Sequence, residues 1–89
     1  MSAIHSLKTW PESFAAVQDG RKRYEIRRND RAFAVGDVLV LREWEPSTER
    51  YTREMVSVRV TYLTPGGTFG LPTDLCVMGI EPSDSWRSP

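Results

Sequence analysis

The sequence predicts an α+β domain that is mostly β: a small antiparallel or mixed β-barrel of four or five short strands, with one N-terminal helix packed beside it and closing one side. Three observations carry this reading. Strand-length apolar runs recur about every 12–15 residues with turn chemistry between them. One helical stripe stands near the start, and the further helices that a parallel α/β sheet needs for its crossovers are missing. With 89 residues, 39% of them hydrophobic and 27% charged, the chain has an ordinary globular composition. At that size a chain buries roughly 60–65% of its unfolded surface, enough for one modest core. Residues 1–82 are therefore read as one domain, and 83–89 as a polar tail in which Trp86 either docks back or is exposed.

The elements follow in order. Ile4 to Lys8 has only weak alternation and is a first edge strand. Thr9-Trp10-Pro11-Glu12 has the spacing of a capping box, and Pro11 suits a first turn, where its missing N–H has no intrahelical partner. The helix is expected from Trp10 to Asp19, with Trp10, Phe14 and Val17 on one apolar stripe and Gly20 as its left-handed C-terminal cap. Tyr24-Glu25-Ile26-Arg27 alternates with period two, which predicts Tyr24 and Ile26 toward the core and Glu25 and Arg27 on the other face. Arg28 to Arg31 and then Val35-Gly36-Asp37 are turns. Val38 to Leu41 is apolar on both faces, which predicts a strand covered on both sides. Glu43 to Tyr51, with Pro46 and Ser47, reads as a loop. Met55 to Leu63 is the clearest strand, with Val56, Val58, Val60 and Tyr62 on one face and Ser57, Arg59 and Thr61 on the other. A glycine-rich loop over 64–70 matches no phosphate-cradling motif. Leu75 to Ile80 is the last strand.

Charge is concentrated where composition hides it. The net charge is zero, yet residues 20–32 carry six cations (Arg21, Lys22, Arg23, Arg27, Arg28, Arg31) against Glu25 and Asp30, a local +4 offset by −4 elsewhere. A patch of that sign attracts phosphates or acidic partners. Within it, Glu25 and Arg27 share a strand face about 7 Å apart at Cα. Strict alternation sets Lys22 on the opposite face from Glu25, unless the strand begins after Lys22 and the Gly20 turn directs the lysine independently. Asn29, Asp30 and Arg31 read either as turn chemistry or as recognition groups, an amide and a planar fork for a base or phosphate. Lys8 points to the patch or to water. Trp10, Tyr24, Trp44 and Tyr62 are core or rim residues on their spacing, and an exposed aromatic beside the patch would favour RNA.

Other chemistry is poorly supplied. Cys76, the single cysteine, lies in an apolar run and reads as a buried structural thiol, with no disulfide available. One cysteine and one histidine far apart do not make a zinc site, and neither a metal nor a cofactor is expected. His5 has no partner in the sequence to orient it as a base. Met1 to Lys8 is too short and mixed for a secretory signal, and no apolar run is long enough for a membrane span, so the expected location is cytoplasmic.

Four stretches together resemble the ASCH domain family, in particular its small stand-alone branch of unknown function from bacteria and phages. They are His5-Ser6-Leu7-Lys8; Gly20-x-Lys22-x-x-Glu25-Ile26-Arg27-x-Asn29-Asp30-Arg31-x-Phe33-x-Val35-Gly36-Asp37; Leu39-x-Leu41-x-Glu43; and Tyr51-Thr52. The resemblance covers residues 4 to 82. It implies a PUA-like pseudo-barrel of four to six short strands with a helix beside it, and a cleft lined by Gly20 to Arg27 that binds RNA or nucleotides. Some ASCH relatives are hydrolases, and one group removes the acetyl group of N4-acetylcytidine with a lysine, a threonine and a later glutamate. That lysine falls on Lys22. The threonine position falls on Glu25, and the later glutamate has no clear counterpart, although Glu81 lies near the end of the last strand. Another relative is a ribonuclease whose residues do not map here.

Three functions remain open on these residues. The leading one is an RNA or nucleotide-binding module in which Lys22, Arg27, Asn29, Arg31 and Lys8 meet phosphate or base, while Glu25 orients Arg27 or reads a base amino group. The second is a hydrolase of a modified nucleoside such as N4-acetylcytidine, with Lys22 and Glu25 catalytic. The third is a small module docking on an acidic protein partner.

Overall fold

The computed structural model describes residues 2–83. It contains β1 (Ile4–Thr9), α1 (Pro11–Gln18), β2 (Tyr24–Arg28), β3 (Val38–Glu45), β4 (Arg50–Pro65) and β5 (Leu75–Pro82). The five strands make one sheet in the order β1-β3-β4-β5-β2, curled into a half-barrel. β1 and β3 run parallel and all other neighbours are antiparallel, so the sheet is mixed. The residues expected in the tail, including Trp86, lie outside the described range apart from Ser83, which is buried and donates both its N–H and its hydroxyl to the Ser57 carbonyl. Among the described residues no helix is long and apolar enough to cross a membrane.

One core fills the inner face. Leu7 of β1, Leu39 and Leu41 of β3, Val56, Val58 and Val60 of β4, and Cys76, Met78 and Ile80 of β5 follow period-two alternation into it. Phe14 and Val17 of α1 close it from the helix side, and α1 packs across β3. Burying each of these two side chains stabilises the fold by about 1.5–3 kcal/mol. Val38 and Val40 are only half-buried, so β3 is fully covered on one face rather than on both. The Cys76 thiol is fully buried, and burial pushes its pKa up.

The helix ends show one success and one correction. Gly20 adopts φ +85° and its N–H bonds to the Val17 carbonyl, the left-handed stop its position predicts. The Lys22 N–H then bonds to the Ala16 carbonyl, which ties the lysine's backbone to the helix. At the other end there is no capping box. Trp10 is the N-cap and makes no side-chain cap bond, because Thr9 is the last residue of β1 and its side chain points inward. Trp10 itself is exposed instead of completing the apolar stripe.

Strand pairing accounts for two further departures. Between Val60 and Tyr62 the β4–β5 ladder shifts by one residue, so Thr61 and Tyr62 both face outward and Leu63 takes the inward place expected of Tyr62. The stretch read as a loop over Glu43 to Tyr51 is mostly hairpin: Trp44 pairs Tyr51 and Glu45 pairs Arg50, which leaves only residues 46–49 as turn. In the glycine-rich loop, a Cβ on Gly66 would stand 2.4 Å from the Pro72 carbonyl oxygen, so backbone approaches there too closely for any side chain.

Candidate functional site

The site begins with an inversion of β2. Glu25, expected away from the core, is 2% exposed, while Tyr24 and Ile26 are about half exposed. β2 is an edge strand paired on one side only, with β5. Its inward face meets the ends of β1 and α1, where Thr9 and Ser13 offer hydroxyls, so a charged residue is satisfied there and an aromatic is not required.

Burying an isolated carboxylate costs several kcal/mol, and Glu25 is compensated on both oxygens. Its Oε1 accepts from Arg27 Nε at 3.0 Å and its Oε2 from Lys22 Nζ at 3.3 Å. The cations are themselves anchored: Arg27 Nη2 donates to Thr9 Oγ1 at 3.2 Å, and Lys22 Nζ to Ser13 Oγ at 3.1 Å. Lys22 and Glu25 therefore share one site. The strand starts at Tyr24, after the lysine, so alternation never governed the lysine's direction.

These groups line a cleft of about 380 Å³ formed by Lys8, Thr9, Trp10, Ser13, Lys22, Glu25, Ile26 and Arg27. At its rim the Trp10 and Trp44 rings lie 6.2 Å apart, and Lys8 Nζ sits 4.2 Å above the Trp44 ring. Lys22 Nζ also lies 5.4 Å from the Tyr24 ring centroid. Three cations against one carboxylate leave the lining net positive, beside an exposed indole.

The other residues singled out from the sequence go elsewhere. Asn29 Oδ1 accepts from the Phe33 N–H, which is turn chemistry, and Arg31 Nη1 donates to the Ser6 carbonyl on the surface; neither lines the cleft. Asp30 is exposed in the segment after β2, while Arg27 pairs with Glu25 and Thr9 and Arg31 with the Ser6 carbonyl. Arg28 pairs with Asp74, and Glu81 with Arg59 on the sheet surface outside the cleft. His5 gains a partner that sequence could not supply, Asp37, at 2.9 Å, and packs edge-on against Phe33. Burial alone would raise the Asp37 carboxyl, but the Ala3 N–H, the His5 ring and the Ala34 N–H outweigh it and hold the pKa below the ordinary carboxylate value. Among the described residues no group of three or more His, Cys, Asp or Glu is placed to hold a metal ion.

Sequence reasoning missed Thr9 and Ser13. Thr9 was assigned to a cap, and Ser13 shows its relevance only when α1 is set beside Lys22. A second cavity of about 200 Å³ lies between the C-terminal end of α1 and strands β4 and β5 and is mostly apolar. It reaches Lys22 but carries none of the cleft's carboxylate and hydroxyl groups.

Comparison with known proteins adds two findings. The family described as a domain of unknown function (DUF3850) matches residues 4–80. An uncharacterised 12.9 kDa protein in the GpA 3′ region of Escherichia phage P2 is 38% identical over 64 residues. That match covers 72% of this chain and 57% of the phage protein, so the chain spans little more than half of that relative's length.

Proposed function

The chain belongs to the DUF3850 family, a domain of unknown function, and from that premise we propose that its cleft binds a nucleobase-bearing ligand, RNA or a nucleotide, in the cytoplasm. The observation that carries this reading is the exposed Trp10 ring beside two cations held on a buried carboxylate. Stacking is available to every base and is worth about 1–3 kcal/mol per base, while Lys8, Lys22 and Arg27 supply the charge that a phosphate needs. Glu25 holds both cations at the cleft without neutralising them, and its remaining lone pairs can accept from a base amino group. The resemblance to the ASCH domain family, with its PUA-like pseudo-barrel and ligand cleft after the helix, supports the same proposal.

The test is titration of a short single-stranded RNA and of single nucleotides, followed by the fluorescence of Trp10 and its neighbour Trp44. Quenching that weakens with salt and is lost in Trp10→Ala supports the proposal. Absence of binding to both probes, with an acidic protein co-purifying instead, would replace it with the docking role.

A second reading, hydrolysis of a modified nucleoside such as N4-acetylcytidine, is favoured by one contact. Lys22 has a hydroxyl within hydrogen-bonding distance, although Glu25 stands where the hydrolase relatives carry theirs. Lysine-dependent release of product from N4-acetylcytidine, abolished in Lys22→Ala, is its test.

A further inference from the structure

We infer that the apolar cavity beside α1 is a second binding site, and that its ligand is a small apolar carboxylate, a phenyl-sized ring or short branched chain bearing one acid group. It stands apart from the nucleobase reading of the cleft. The walls are core side chains from three elements: Val17 of α1, Val56 and Val58 of β4, and Ile80 of β5, each 7% exposed or less. Packing into the core fixes these side chains, so the site is preformed. α1 packs across β3 and stops at Gly20, and the cavity is the stretch of core beyond that stop, toward β4 and β5. At about 200 Å³ it exceeds the roughly 150 Å³ that holds a benzene ring. The remaining volume fits a short acidic arm that reaches the mouth.

The charge at the mouth selects the acid. Lys22 lines the cavity with its stem, since its ammonium is turned to Ser13 and Glu25 in the cleft. Asp19 and Glu81 also line it, and each carries its own arginine: Asp19 is paired with Arg21 at 2.8 Å and Glu81 with Arg59. Neither of those arginines belongs to the lining. Among the described residues, Arg23 is thus the cation of the lining whose guanidinium has no protein partner. Its backbone is pinned there, because the Arg23 carbonyl accepts from the Ile80 N–H. A guanidinium takes a carboxylate as a two-pronged partner, and Gln18 in the same lining offers an amide N–H. An amine would be repelled. A nucleobase would bring several polar edges to aliphatic walls that have no side-chain hydrogen-bonding group.

The test is a titration of the full chain with phenylacetate, followed by methyl NMR, beside the neutral isostere phenylacetamide. The expected result is saturable shifts of the Val17, Val56, Val58 and Ile80 methyl signals, with phenylacetamide binding about tenfold more weakly. Arg23→Gln is expected to bring phenylacetate down to the level of phenylacetamide and to leave phenylacetamide unchanged. Arg23 is exposed, so this variant keeps the fold. Equal affinity for the two probes, or a phenylacetate affinity that Arg23→Gln leaves alone, overturns the inference. So do shifts centred on Thr9 and Ile26, which place the probe in the cleft, and the absence of saturable shifts in the folded wild type. Binding seen only in Trp86→Ala overturns it as well, by giving the cavity to the chain's own end.

Discussion

Among the described residues two carboxylates, Asp37 and Glu25, are buried to nearly the same degree, and they are held in opposite ways. Asp37 accepts from the Ala3 and Ala34 amides and from the His5 ring, which packs edge-on against Phe33. Glu25 accepts only from the side chains of Lys22 and Arg27, at the wall of an open cleft. Backbone donors move only if the fold moves. Side-chain cations can turn toward a ligand and keep the carboxylate as a counter-charge. Asp37 is thus a pin that fastens the start of β1 to the turn before β3, while Glu25 is an electrostatic base on which two exchangeable cations rest. Burial and pairing alone do not tell these apart; the identity of the donors does.

The comparison is broken or sharpened by substitution. The largest effect on stability is expected at the pin. Asp37→Ala leaves two amides and a histidine without their acceptor, at about 1–3 kcal/mol for each buried group, and denaturant unfolding should show a loss of about 3 kcal/mol or more. RNA affinity of the fraction that remains folded should be unchanged. Lys22→Ala should do the reverse, lowering RNA affinity by about 1.5–3 kcal/mol. Glu25 keeps Arg27 on Oε1 but loses the donor on its buried Oε2, so a stability loss of about 1–3 kcal/mol is expected, smaller than at Asp37. If both variants lower stability alike and neither touches binding, the distinction fails.

Acid sharpens the same contrast. The Asp37 pKa is depressed on folding from an ordinary value of 3.8, so its contribution is fully present above that value and is lost as pH falls through the lowered one. The unfolded chain binds the extra proton in that window, and stability should therefore fall with falling pH. Asp37→Asn should flatten this slope in urea unfolding measured below about pH 4. A smaller effect is expected at the rim, where Trp10→Ala should cost about 1–3 kcal/mol of ligand affinity and nothing in stability beyond a few tenths, since the ring is already exposed.

How much of this was legible beforehand depended on whether local pattern or tertiary pairing controlled each residue. Pro11 and Gly20 marked the helix correctly because their constraints are covalent: a missing N–H and a missing Cβ. The valines of β4 alternated into the core as written. Tyr62 did not, because the ladder shift before it depends on β5 and leaves no local trace. Tyr24 and Ile26 were read as inward because they are apolar, but hydrophobicity cannot recognise an interior face that is itself polar. That face exists only once Thr9 and Ser13 are placed opposite β2. The same argument covers Thr9, whose capping-box spacing was outweighed by its pairing with Glu43 at the end of β1. Lys22, Glu25 and Arg27 were legible as residues, and the Lys22–Glu25 contact was not, because it turns on where β2 begins.

The most direct test of the claim that Glu25 supports a ligand cleft is the salt dependence of short single-stranded RNA binding to the wild type and to Lys22→Ala. Three cations facing phosphate predict a slope of log affinity against log salt of roughly −2, reduced by roughly 0.7 when Lys22 is removed. Affinity that is flat in salt, or a slope that Lys22→Ala leaves unchanged, would contradict the account.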